Sequence, residues 1–156
     1  MDKIKTYQLL VKQVESLIID ENNTTGQLAN AAAIIHETRH WWWTGFYLVN
    51  DGELQLGPFQ GPVACYSIKP GRGVCGTAWQ QDRTIVVPDV ELFPGHIACS
   101  SLSRSEIVVP LHDAGGNVIA VLDIDSKDIN AFDDVDAHYL QQIARVIEQH
   151  AFNHDS

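Results

Sequence analysis

Two hairpin signals frame the middle of this 156-residue chain and constrain its fold more than any other feature. Asn50-Asp51-Gly52 joins the run Trp43–Asn50 to Glu53–Leu56, and Asp113-Ala114-Gly115-Gly116 joins Glu106–Leu111 to Asn117–Asp125. Short turns of residues that tolerate positive φ, set between β-rich runs, pair those runs antiparallel. The chain ends read differently. From Ile4 to Ile19, apolar residues recur at Tyr7, Leu10, Val11, Val14, Leu17 and Ile18, the three-four spacing of a helix with one buried stripe. Thr24 or Thr25 is placed to cap a second helix running to about Thr38. A closing helix spans about Asp133 to His150, with Leu140, Ile143, Ala144 and Ile147 on its apolar face. Hairpins in the middle and helices at the ends predict a single α+β domain, an antiparallel sheet with helices gathered on one face.

Smaller elements fill the centre. Tyr66–Ile68 and Thr84–Val87 read as short strands and Val74–Gln81 as a short helix. Gly57 to Cys65, with its glycines and prolines, reads as an irregular loop, and so does Pro88 to His96.

Twenty acidic against ten basic side chains give a formal charge of −10. A field of that sign repels phosphate backbones and anionic lipid, so neither a nucleic-acid nor a membrane role is expected. No apolar run reaches spanning length. The N-terminus, with Asp2, Lys3 and Lys5 leading into an amphipathic stretch, lacks the pattern of a signal peptide. The expectation is a cytoplasmic protein, in which a disulfide would be transient and part of a cycle or a sensor.

Three cysteines, Cys65, Cys75 and Cys99, stand close together, an odd number with no C-x-x-C pair. Such thiols more often do chemistry than hold structure. Gly71-Arg72-Gly73-Val74-Cys75-Gly76 matches G-x-G-x-x-G, but Pro70 and a very short preceding strand do not make the βαβ unit that a dinucleotide site needs. The glycines instead set Cys75 near a helix N-terminus, where free N–H groups favour thiolate; a buried, inert cysteine is the alternative. Cys99 lies at a loop-to-helix junction with His96 three residues before it. Cys65, Cys75, Cys99, His96 and His112 could supply zinc ligands, yet their spacings match no usual module, and no bound metal is expected.

In Val118–Asp125, period two puts Asp123 and Asp125 on one face after Ile119 and Val121, about 7 Å apart. Facing a low-dielectric wall, at least one of them keeps a proton near neutrality; facing the turn Ser126-Lys127-Asp128, both are ordinary solvated carboxylates. Glu106, at the start of the neighbouring strand, can reach the same place. Of the consecutive Trp41, Trp42 and Trp43, not all can share a face, so at least one is exposed or lines a cavity.

Six segments together resemble the free methionine-(R)-sulfoxide reductases, a family built on the GAF fold. They are Trp43–Leu48, Leu56–Gly61, Gly71–Ala78, Gly95–Cys99, Ser105–Val108 and Val121–Ser126, and the likeness runs from about Leu28 to Ser126. It implies one GAF-like domain over residues 1–156, with a core of about 24–150. About six antiparallel strands would have the terminal helices on one face and a ligand pocket on the other. By matching position, Cys99 is similar to the thiol that attacks the sulfoxide and Cys65 to its disulfide partner. Cys75 matches an auxiliary or alternative thiol, and Trp43, Glu106, Asp123 and Asp125 match substrate-pocket residues. The implied partners are free methionine sulfoxide and a thioredoxin-like dithiol, with no bound cofactor and with a homodimer left open. The implied chemistry is thiol attack on a sulfoxide protonated by a carboxylic acid, then a sulfenic acid, then a disulfide. The alternative is a non-catalytic GAF module that binds a small ligand or senses oxidants.

Overall fold

The computed structural model describes residues 2–95 and 102–153. Six strands form one antiparallel sheet in the order β3-β2-β1-β6-β5-β4. They are β1 (Trp43–Asn50), β2 (Glu53–Gln60), β3 (Ser67–Ile68), β4 (Ile85–Val87), β5 (Ser105–His112) and β6 (Val118–Ser126). The helices are α1 (Lys3–Ile18), α2 (Thr24–Arg39), α3 (Gly73–Gln81) and α4 (Asp134–Ile147), with a π-helical turn over Glu148–Phe152.

Strand alternation divides the side chains into two layers. Phe46, Ile107, Val109, Leu111, Ala120, Leu122 and Ile124 face back into a core built with α1, α2 and α4. Trp43, Tyr47, Val108 and Val121 face forward and pack with Val74, Cys75 and Ala78 of α3. The terminal helices therefore cover one face, as the hairpins and end helices predict, and α3 stands on the other.

Local chemistry fixes the helix ends. Asn23, rather than Thr24 or Thr25, caps α2: its side chain accepts from Gly26 N at 3.0 Å, while the Thr24 hydroxyl donates to the Ala151 carbonyl. Asp133 and Asp136 form a capping box at the start of α4, an arrangement worth about 1 kcal/mol per cap. Buried Asp136 also accepts from the Tyr7 hydroxyl at 2.5 Å and pairs with Lys3 at 2.6 Å, which ties α1 to α4.

The segment after Gly57 departs from the sequence expectation of a loop. Strand β2 continues through Gly57 and Pro58 to Gln60, with a bulge where Gly45 pairs Phe59 and Tyr47 pairs Leu56. Proline is tolerated there because β3 pairs only Leu54 and Gln55, leaving the far edge of Pro58 free.

Candidate active site

Strand register assembles the centre of the forward face. Trp43 pairs with Asp125 and Gly45 with Asp123 across β1 and β6. Glu106 pairs with Asp125 across β5 and β6. Directly paired residues share a face, so one indole and three carboxylates project to the same side. Trp43 lies flat because position 45 is glycine: a Cβ there would stand 2.7 Å from the indole and 2.3 Å from the Phe59 Cβ. The indole stacks on Phe59 and Tyr47, with centroids at 5.2 and 6.0 Å, and donates to the Pro62 carbonyl.

Over this floor lies a partly open cleft. Helix α3 supplies one wall through Val74 and Cys75, with Arg72 at its N-cap, and the segment before β3 supplies Val63 and Ala64. Gly73 has φ 62°, a left-handed conformation that favours glycine. It starts α3, and its N–H donates to the Gly95 carbonyl at 3.2 Å.

The electrostatics follow from burial. Glu106 and Asp123 are 7% and 5% exposed, and Asp125 is half-buried at the cleft edge, where its Oδ1 accepts from Ser103 at 3.2 Å. Desolvation, reinforced by the neighbouring carboxylates, pushes Glu106 and Asp125 well above the usual carboxylate range. Desolvation also raises Asp123, but interaction with Glu106 and Cys75 draws it back. The Asp123 Oδ1 is buried with no hydrogen-bond partner among the described residues.

Cys75 occupies the first turn of α3, as the glycine spacing implies, and of the two readings left open for it the structure favours the buried cysteine over the acidic thiol. The side chain is buried, its Sγ stands 3.9 Å from Glu106 Oε2, and the donor is the thiol. Desolvation and then the charges of Asp123, Glu106 and Asp125 raise its pKa well above the ordinary thiol value. Three carboxylates and burial outweigh the helix terminus. Cys65, between β2 and β3, is disulfide-bonded, and its backbone carbonyl accepts from the Tyr47 hydroxyl. Cys99 and His96 lie outside the described residues, and so does the Cys65–Cys99 pairing.

Two other sequence candidates fall elsewhere. His112 sits at the end of β5 between Asp82 and Glu148, at 2.5 and 2.9 Å, which separates it from the cysteines as a zinc ligand. Trp41 turns to the back layer against Phe132, with Arg39 over its ring, while Trp42 packs with the forward cluster. The structure adds Tyr47, Arg72 and Ser103 to the cleft. Tyr47 was legible as the next-but-one alternate position after Trp43; Arg72 and Ser103 come from turns whose direction no periodicity fixes.

The GAF domain family matches residues 27–150. Free methionine-R-sulfoxide reductase of Escherichia coli (strain K12) is 42% identical over 150 residues, covering 96% of this chain and 90% of that protein. The chain belongs to the free methionine-(R)-sulfoxide reductase family. GAF domain-containing protein A of Dictyostelium discoideum is 55% identical over 147 residues, with coverage of 94% and 92%. Free methionine-R-sulfoxide reductase of Neisseria meningitidis, solved in complex with its substrate, superimposes with a TM-score of 0.94. It is 50% identical, with coverage of 97% and 92%. In this reductase-family member the four pocket residues matched by sequence, Trp43, Glu106, Asp123 and Asp125, all line one cleft beside Cys75.

Proposed function

We propose that this protein reduces free L-methionine (R)-S-oxide to methionine. The observation that carries the reading is the meeting of Trp43, Glu106, Asp123 and Asp125 in one cleft, with a buried carboxylate oxygen of Asp123 left without a donor. The ammonium of a free amino acid supplies that donor and charge; a peptide-bound methionine sulfoxide lacks it. The Trp43 indole offers an apolar, polarisable surface to the thioether methyl and a cation face to the ammonium. Arg72 on the rim offers a guanidinium to the substrate carboxylate.

Sulfoxide oxygen leaves sulfur poorly unless protonated, and Glu106 or Asp125, held neutral by burial, provides the proton. Cys99 attacks as thiolate, the role its match to the family assigns. Oxygen passes to its sulfur, giving methionine and a cysteine sulfenic acid. The Cys65 thiol condenses with that group, releasing water and forming a disulfide. The sum is sulfoxide plus two thiols to thioether, disulfide and water. A thioredoxin-type dithiol then restores both thiols, which places the cycle in the cytoplasm. Cys75, buried and disfavoured as a thiolate, stays an auxiliary thiol in the state described.

The test supplies each sulfoxide epimer with thioredoxin and an NADPH-linked regenerating system. Consumption of the R epimer alone, abolished in Cys99→Ser, is the expected result. An inert R epimer overturns the proposal and favours a ligand-binding GAF module.

A further inference from the structure

Cys75, Glu106 and Asp123 bring a sulfur and two carboxylate oxygens within 4.8 Å of one another. The three side chains come from α3, β5 and β6, and all are buried. Asp123 Oδ1 has no hydrogen-bond partner among the described residues, so the cluster holds one buried, uncommitted acceptor on a residue that lines the cleft. Two carboxylates alone would suit magnesium or calcium, but a thiol among them selects a softer ion.

The geometry is close to what such an ion needs. With Zn–S of about 2.3 Å and Zn–O of about 2.0–2.2 Å, ligand atoms around a tetrahedral ion stand about 3.5 Å apart. The Cys75–Glu106 separation of 3.9 Å is already near that. The remaining separations lie within 4.8 Å, in a cleft that is partly open.

We propose that the reduced protein binds a zinc-class divalent cation between Cys75, Glu106 and Asp123, and that the bound ion shuts the cleft to substrate. The ion replaces the protons of the Cys75 thiol and of the Glu106 carboxylic acid, which leave to solvent, and no electron is transferred. This set shares only Cys75 with the cysteine and histidine combination weighed from the sequence. Closure of the cleft rests on the reductase reading, because substrate ammonium and ion would compete for Asp123; binding of the ion does not.

Cadmium serves as the spectroscopic probe. In a Cys65→Ser/Cys99→Ser variant, Cys75 is the only thiol left. Titration with Cd²⁺ in metal-free buffer should give a thiolate-to-cadmium absorption saturating at one equivalent, which zinc then erases. A further Cys75→Ala change should remove the band, and a further Asp123→Asn change should weaken binding at least about tenfold. Far-UV circular dichroism checks the fold of each variant. Absence of the band in a folded variant, or undiminished affinity in Asp123→Asn, overturns the site. Turnover by wild type in chelator is measured separately. An inert enzyme with a saturable cadmium band sinks the reductase reading and leaves the site standing. Turnover untouched by saturating zinc overturns closure of the cleft.

Discussion

The hydroxyl of Tyr47 donates a 2.9 Å hydrogen bond to the backbone carbonyl of Cys65. One end of this side chain stacks on Trp43 in the cleft floor; the other holds the loop of Cys65, which is disulfide-bonded. Burial and nearby carboxylates raise the Tyr47 phenol pKa, so it remains a donor across the working pH range.

Tyr47→Phe keeps the ring and removes the tether. A net hydrogen bond of about 0.5–1.5 kcal/mol corresponds to a rate loss of about two- to tenfold. The loss should fall on disulfide formation and not on the first chemical step. Quenched single turnovers with a sulfenic-acid trap should show the adduct accumulating in the variant, while the first-step rate stays at the wild-type value.

Glu106→Gln removes one of the two carboxylic acids proposed to protonate the sulfoxide, and one member of a crowded acidic cluster. Turnover should fall by about 10²–10⁴, the usual contribution of a general acid. Stability should move the other way. The folded pKa of Glu106 is raised, so the folded state holds a proton that the unfolded chain releases above its ordinary value. Stability is therefore lost as pH rises from about 4.3 toward the folded pKa. At neutral pH the variant should melt higher than wild type, by about 2–4 °C for each kcal/mol recovered. Calorimetry without substrate reads this, and a lower melting temperature would contradict it.

Arg72→Ala removes a guanidinium from the cleft rim without touching the carboxylates. The expected signature is a KM raised about tenfold or more, the loss of a charge-assisted contact, with kcat nearly unchanged. Steady-state kinetics with the R epimer separate the two.

His112 links three elements at the other end of the sheet, between Asp82 after α3 and Glu148 after α4. Burial pulls its pKa down, but the hydrogen bonds and charges of Asp82 and Glu148 outweigh that and raise it. A raised folded pKa contributes stability that is complete below the unfolded value of about 6.5 and is lost as pH rises through the folded value. His112→Gln should therefore cost more melting temperature at pH 6 than at pH 9. Equal costs at both would rule out a charged imidazolium in this contact.

The sequence carried the alternation of Asp123 and Asp125 and their reach to Glu106, because period two and a hairpin leave little freedom. It carried the helical faces of α1 and α4 for the same reason. It did not carry the thiol of Cys75. Its position at a helix start is local, whereas the carboxylates that raise its pKa arrive from β5 and β6. Nor did it carry Pro58 as strand, since proline is excluded from strands only where both edges are paired. Tyr47 stood on the legible face of β1, but only its meeting with Cys65 across a loop shows what its hydroxyl does.

The central claim is that a buried acidic cleft selects the free amino acid through its ammonium. The most direct measurement compares turnover of free methionine (R)-sulfoxide with that of its N-acetylated form, which keeps the sulfoxide and loses the charge. The expected result is consumption of the free compound and an N-acetyl kcat/KM lower by at least about 10²-fold, as for a charged buried contact left unmade. Equal consumption of the two, or none of the free compound, would contradict it.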